Sequence, residues 1–164
     1  MEGSDVNIKL NKELIAFIKR NKLDTKSMPQ KQMLTYTDFL SNRMLVISVI
    51  RKGVPYSLFR LIQYYSPFTE TEWAGFLDLS SKSLQRYKQS SRAFKPIQSE
   101  KIIEMSEVTN VGLDVFEDMD KFKLWLYTPN FSLGSLKPVD LLSNSYGKEM
   151  VIGELTRINH GIFA

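Results

Sequence analysis

Residues 69–96 read TETEWAGFLDLSSKSLQRYKQSSRAFKP, and the fold class follows from where this stretch starts, breaks and restarts. Thr69 with Glu72 three residues later is a capping box, a helix-start signal in which each side chain satisfies a free backbone N–H. Trp73, Phe76 and Leu77 give the helix that follows an apolar face. Asp78-Leu79-Ser80 then makes a tight break, and either Ser80 or Ser81 can cap a second helix whose Leu84 and Tyr87 face inward. Two short helices joined by about three residues have the spacing of a helix-turn-helix. The turn position often held by glycine is Asp78, and aspartate tolerates the left-handed conformation better than most residues.

The second helix and its continuation, residues 80–96, hold five positive charges and no acid. With Leu84 and Tyr87 turned inward, Lys82, Ser83, Gln85 and Arg86 are expected to point outward near the helix start. Those positions reach base edges when a recognition helix enters the major groove. Gln and Arg make bidentate contacts to adenine and guanine. Ser81, Lys88, Arg92 and Lys95 are placed to meet phosphates. Ser81, Lys82, Ser83, Gln85, Arg86, Lys88 and Arg92 therefore form the expected DNA-binding set. The competing reading is a solvated helix face, but such faces usually alternate acids with bases for i,i+4 pairing, and this one does not.

Working outward, residues 1–96 carry 16 Lys and Arg against 8 Asp and Glu, and residues 97–164 carry 6 against 10. A basic front and an acidic back point to two surfaces with different partners. Leu10, Leu14, Phe17 and Ile18 recur at helical spacing with Lys and Arg opposite. Residues 21–36 read as a linker. The centre of 37–53 is a buried helix or a strand, because Val46, Ile47, Val49 and Ile50 favour strands locally. Leu58, Phe59 and Ile62 mark a helix after Pro55 and before Pro67. A further helix over 98–118 carries Ile102, Ile103, Met105 and Val108, with Gly112 as a candidate break. Beyond it, Pro129, Gly134, Pro138 and Gly147 read as turns between apolar pieces. Trp125, Leu126, Leu141, Leu142, Val151 and Leu155 read as core. The expected architecture is all-α: a basic N-terminal extension (1–45), a helix-turn-helix lobe (46–112) and a small helical lobe (113–164).

Several functions are disfavoured. The absence of cysteine removes disulfides, thiolate catalysis and cysteine-ligated metals. With one histidine, no glycine-rich phosphate loop and no hydrolase or zinc-protease motif, neither an enzyme nor a metal site nor a cofactor is expected. No apolar run approaches the roughly 18 residues needed to span a bilayer. Residues 1–5 lack the layout of a signal peptide, so a soluble cytoplasmic protein is expected.

The chain ends LTRINHGIFA, and an apolar ending is unusual where chains commonly fray. It either covers this protein's own core or enters another's. Here the residues carry a resemblance. Trp125-Leu126, Thr128-Pro129-Asn130, Leu133-Gly134, Pro138-Val139-Asp140-Leu141-Leu142, Gly147, Val151, Leu155 and the ending Ile158-x-His160-Gly161-Ile162 resemble the toxin-binding domain of Xre/MbcA/ParS-type antitoxins. The helix-turn-helix ahead of it, with SLQRY in its second helix, is similar to the Xre-like domain of that family, so the resemblance covers about residues 50–164. It implies an antitoxin that holds a RES-domain, NAD-consuming toxin inactive and represses its own promoter. It also implies a homodimer, and a larger hetero-oligomer with the toxin. On that reading Arg157, Asn159, His160, Gly161, Ile162, Phe163 and Ala164 are the toxin-binding set. Gly161 would free the last residues from helical geometry. Ile162 and Phe163 would form an apolar plug, and the Ala164 carboxylate would meet basic groups of the toxin's pocket. His160 taken alone reads as a capping or surface histidine. The alternative is a stand-alone DNA-binding regulator whose C-terminal lobe only dimerises. A third reading is a protein-interaction module without a DNA role.

Overall fold

The computed structural model describes residues 2–26 and 34–161, with side chains from Asp5 onward. The described residues form ten α-helices: α1 (Glu2–Arg20), α2 (Tyr36–Ser41), α3 (Arg43–Lys52), α4 (Tyr56–Tyr65), α5 (Glu70–Phe76), α6 (Ser81–Ser90), α7 (Pro96–Phe116), α8 (Met119–Leu126), α9 (Pro138–Leu141) and α10 (Ser145–Asn159). A 3₁₀ turn spans Phe131–Leu133. Extended pairing among the described residues is limited to two isolated antiparallel bridges, Pro55 with Ala93 and Asn130 with Leu136. The fold is all-α. It divides into two compact units, Met1–Ile103 and Glu104–Ala164, and the division falls inside α7.

In the first unit α1 buries Leu10, Leu14, Phe17 and Ile18, the stripe its periodicity predicts. Polar bonds fix it in place. Ser57 Oγ donates to Glu13 Oε1 at 2.6 Å, Arg20 pairs with the same oxygen at 3.1 Å, and Tyr36 N–H donates to Asn11 Oδ1 at 2.8 Å. The ambiguous stretch 37–53 resolves as helix. Thr35 and Asp38 form a capping box for α2, and Asn42 caps α3 by accepting from Leu45 N–H. The β-branched residues cost a helix only a few tenths of a kcal/mol each, and burying Leu45, Val46 and Val49 on one face outweighs that. The core of the unit is aromatic. Phe59 sits 5.2 Å from Trp73 and 4.9 Å from Phe94, both edge to face. Trp73 Nε1–H donates to Ser66 Oγ at 3.0 Å, which satisfies its one polar group.

The second unit corrects two expectations about glycine. Gly112 does not break α7, which runs on to Phe116. A Cβ at Gly112 would overlap the Phe122 ring, so the missing side chain is what admits α8. Gly147 is not a separator either. It is the third residue of α10, and a Cβ there would overlap the Leu141 carbonyl. Gly134 does end the 3₁₀ turn, at φ +71°, and Pro138 opens α9. Leu126, Leu142, Val151 and Leu155 are buried, whereas Trp125 and Leu141, expected in the core, are half-buried. Trp125 lies on the outer side of a small aromatic cluster, 5.8 Å from Phe116 and 6.4 Å from Phe122. Lys148 and Glu107 pair at 2.6 Å with side chains only 18% and 17% exposed, tying α10 to α7 within the unit. Among the described residues no helix is long and apolar enough to cross a membrane, and no group of three or more His, Asp or Glu could hold a metal.

Candidate DNA and partner interfaces

The turn between α5 and α6 is built as its residues require. Thr69 and Glu72 form the capping box at the start of α5. At its end Asp78 takes φ +51°. Asp78 N–H donates to Gly75 O at 3.1 Å and Leu79 N–H to Ala74 O at 3.0 Å. This is the paired 5→2 and 6→1 pattern that closes a helix through a left-handed residue. Ser80, rather than Ser81, caps α6. It accepts from Ser83 N–H at 3.1 Å and donates to Ser83 Oγ at 2.9 Å. Ser83 is therefore half-buried and occupied by the cap, not turned outward as expected.

Leu84 is buried, and Tyr87 stacks on Phe94 at 4.3 Å and 12°. That anchoring leaves Ser81, Lys82, Gln85, Arg86 and Lys88 exposed. Lys82 and Arg86, four residues apart, share the face opposite Leu84. Gln85 and Lys88 lie to one side, where with Gln89, Tyr56, Gln63 and Glu70 they line a cleft of about 490 Å³. The Tyr56 phenol is held above its usual pKa, by burial first and by the Glu70 charge second, with Arg60 acting in the opposite sense. It stays a neutral O–H donor in that cleft. Arg92 is not on α6. Ser91 ends the helix at φ +50°, and Arg92 falls in the loop that follows, exposed like Lys95.

That loop is fastened. Phe94 N–H donates to Val54 O at 2.8 Å, and Ser99 Oγ accepts from Val54 N–H at 2.8 Å while donating to Phe94 O at 3.2 Å. Gly53, at φ +92°, lies where a Cβ would stand 2.5 Å from Phe94 O.

In the second unit α10 ends at the residues singled out from the tail. Arg157 Nη1 pairs with Glu154 Oε2 at 3.0 Å and Asn159 is exposed. His160 caps the helix, with Nδ1 at 2.7 Å from Thr156 O, a contact that places its proton on Nδ1. Gly161, at φ +68°, turns the chain out of the helix. Ile162, Phe163 and Ala164 lie outside the described residues. This unit also exposes apolar side chains that the sequence analysis does not single out, among them Phe131 at 90%, Tyr146 at 83%, Leu124 at 71% and Met150 at 50%. Tyr146 and Met150 stand four apart on α10, off the Val151–Leu155 stripe. That offset was the available signal.

Two family models match the chain: the antitoxin Xre-like helix-turn-helix domain over residues 45–106, and the antitoxin Xre/MbcA/ParS C-terminal toxin-binding domain over residues 112–161. The chain belongs to the Xre/MbcA/ParS antitoxins. An Antitoxin Xre of Yersinia enterocolitica serotype O:8 is 26% identical over 125 residues, covering 76% of this chain and 84% of the relative. An Antitoxin Xre of Photorhabdus laumondii is 26% identical over 116 residues, covering 70% and 78%. A chain in the crystal structure of the M. tuberculosis MbcT–MbcA toxin–antitoxin complex is 23% identical with a TM-score of 0.49, over 59% of this chain and 86% of that one. This antitoxin thus joins a helix-turn-helix domain to a C-terminal domain of the toxin-binding kind, and residues 1–44, α1 among them, precede both matches.

Proposed function

We propose that this antitoxin neutralises a RES-domain, NAD-consuming toxin by occluding the toxin's active site with its C-terminal tail, and autorepresses its operon through α6. The mechanism is steric and uses no cofactor. The observation that carries the tail's role is where α10 stops. The toxin-binding match ends at 161, and Gly161 has left helical geometry there, so the apolar Ile162, Phe163 and Ala164 come in sequence directly after a capped helix end. Arg157, Asn159 and His160 form the polar collar of that end. Exposed Phe131, Tyr146 and Met150 support a contact face on the same unit, since large apolar side chains held in water mark interaction surfaces. The DNA role rests on α6, where Lys82 and Arg86 face outward, with Gln85 and Lys88 beside them. The protein acts as a homodimer in the cytoplasm and forms a larger hetero-oligomer with the toxin.

The test is co-expression of the full chain, and of a chain truncated after Ile158, with the product of the adjacent gene, reading complex formation and cellular NAD. The tail is the plug when both forms bind and only the full chain protects NAD. Equal protection by both assigns occlusion to the body of the domain. Absence of binding by either leaves the stand-alone regulator.

A further inference from the structure

The loop after α6 is fastened to the junction of α3 and α4, and that brings together charges forty residues apart. Arg51 and Lys52 end α3, and Gly53 and Val54 follow directly. Val54 O accepts from Phe94 N–H at 2.8 Å, Pro55 bridges Ala93, and Gly53 lies against Phe94 O. The backbone of 53–55 therefore runs antiparallel beside that of 93–95, so that Lys95 falls at the Gly53 end, directly after Arg51 and Lys52, and Arg92 at the Pro55 end. All four cations, Arg51, Lys52, Arg92 and Lys95, are exposed. Among the described residues none is in an ion pair. Nearest to them in sequence on the acidic side is Glu100, in the second turn of α7.

We infer that Arg51, Lys52, Arg92 and Lys95 form a second phosphate-binding patch, which extends the DNA footprint from α6 to the α3–α4 junction. The inference rests on the DNA-binding reading of α6. Flexible cations on a fixed backbone suit phosphates, which position a protein without reading sequence. Three backbone or serine hydrogen bonds hold the loop, so the four charges are presented at a set place relative to Tyr87 and α6. The Tyr87–Phe94 stack passes directly from the helix to this loop.

The experiment uses the full chain carrying Arg51→Gln with Lys52→Gln. Its affinity is measured for a duplex from upstream of its own gene and for an unrelated duplex, across a salt series, beside the wild type and Arg86→Ala. Losing two phosphate contacts should flatten the slope of log K against log salt by about 2 and weaken both duplexes alike, roughly thirtyfold near ~0.15 M salt. Arg86→Ala should instead narrow the gap between the two duplexes. An unchanged slope and affinity in the double variant, with Arg86→Ala still impaired, overturns the patch and leaves the reading of α6 standing. A wild type that binds neither duplex in a salt-dependent way overturns both. Weakened toxin binding with DNA affinity intact also overturns the patch, and assigns the four cations to an acidic protein face. The side chains are exposed, so the variant's thermal melt should match the wild type, and Arg92→Gln with Lys95→Gln should repeat the result from the other side of the bridge.

Discussion

In the first unit Phe59, Phe94, Trp73 and Phe68 meet ring to ring. In the second, α7 and α10 approach their neighbours at Gly112 and Gly147, where there is no side chain at all. The first unit has a core filled by large rings that meet edge to face. It holds a polar cleft and a helix that offers most of its surface to solvent. The second has little to spare, since two of its contacts are backbone against ring and backbone against backbone. The interfaces differ accordingly. α6 is a regular helix presented by its buried neighbours, whereas the candidate site on α10 begins where a helix is made to stop.

Substitutions can break this contrast. Trp73→Ala should have the largest effect, about 3–5 kcal/mol, because a fully buried ring leaves a cavity that its rigid neighbours cannot close. Denaturant unfolding followed by far-UV circular dichroism measures it, and a loss below about 1 kcal/mol would mean that the surrounding rings repack freely. Gly147→Ala should cost about 2–3 kcal/mol, because the added methyl meets the Leu141 carbonyl rather than a movable side chain. The chain has two tryptophans, one in each unit, so a Trp73→Phe background reports the second unit through Trp125 fluorescence. If Gly147→Ala stabilises the protein there, as its higher helix propensity alone would favour, the close approach is not what holds α9. Trp125→Ala should cost least, about 1–2 kcal/mol, since a half-buried ring forfeits only part of the transfer and cavity terms. A loss of 3 kcal/mol or more would move Trp125 into the core.

Much of the first unit was readable in the chain, because its signals are local. Thr69 and Glu72 are three residues apart, Asp78 tolerates the left-handed turn by itself, and the α1 stripe repeats at helical spacing. The misreadings came where one local signal serves two tertiary outcomes. The valines and isoleucines of α3 suit strand and helix alike until a partner face is supplied. Ser83 looked like an outward residue until Ser80 was found to cap the helix. Trp125 and Leu124 are equally apolar in the sequence, and neither is fully buried, because α8 turns Phe122 and Leu126 inward instead.

The sequence by itself determined the helical class, the helix-turn-helix, the basic face of α6 and the glycine that ends α10. Each depends on hydrogen bonds, charges or φ angles within a few residues. Only the tertiary structure decided that Gly112 and Gly147 make room instead of breaking helices, and that the Gly53–Pro55 junction after Arg51 and Lys52 lies against the Ala93–Phe94 backbone. A glycine's missing side chain has the same local signature whether it loosens a helix or admits a neighbour. Which of the two occurs depends on what the rest of the chain brings against it.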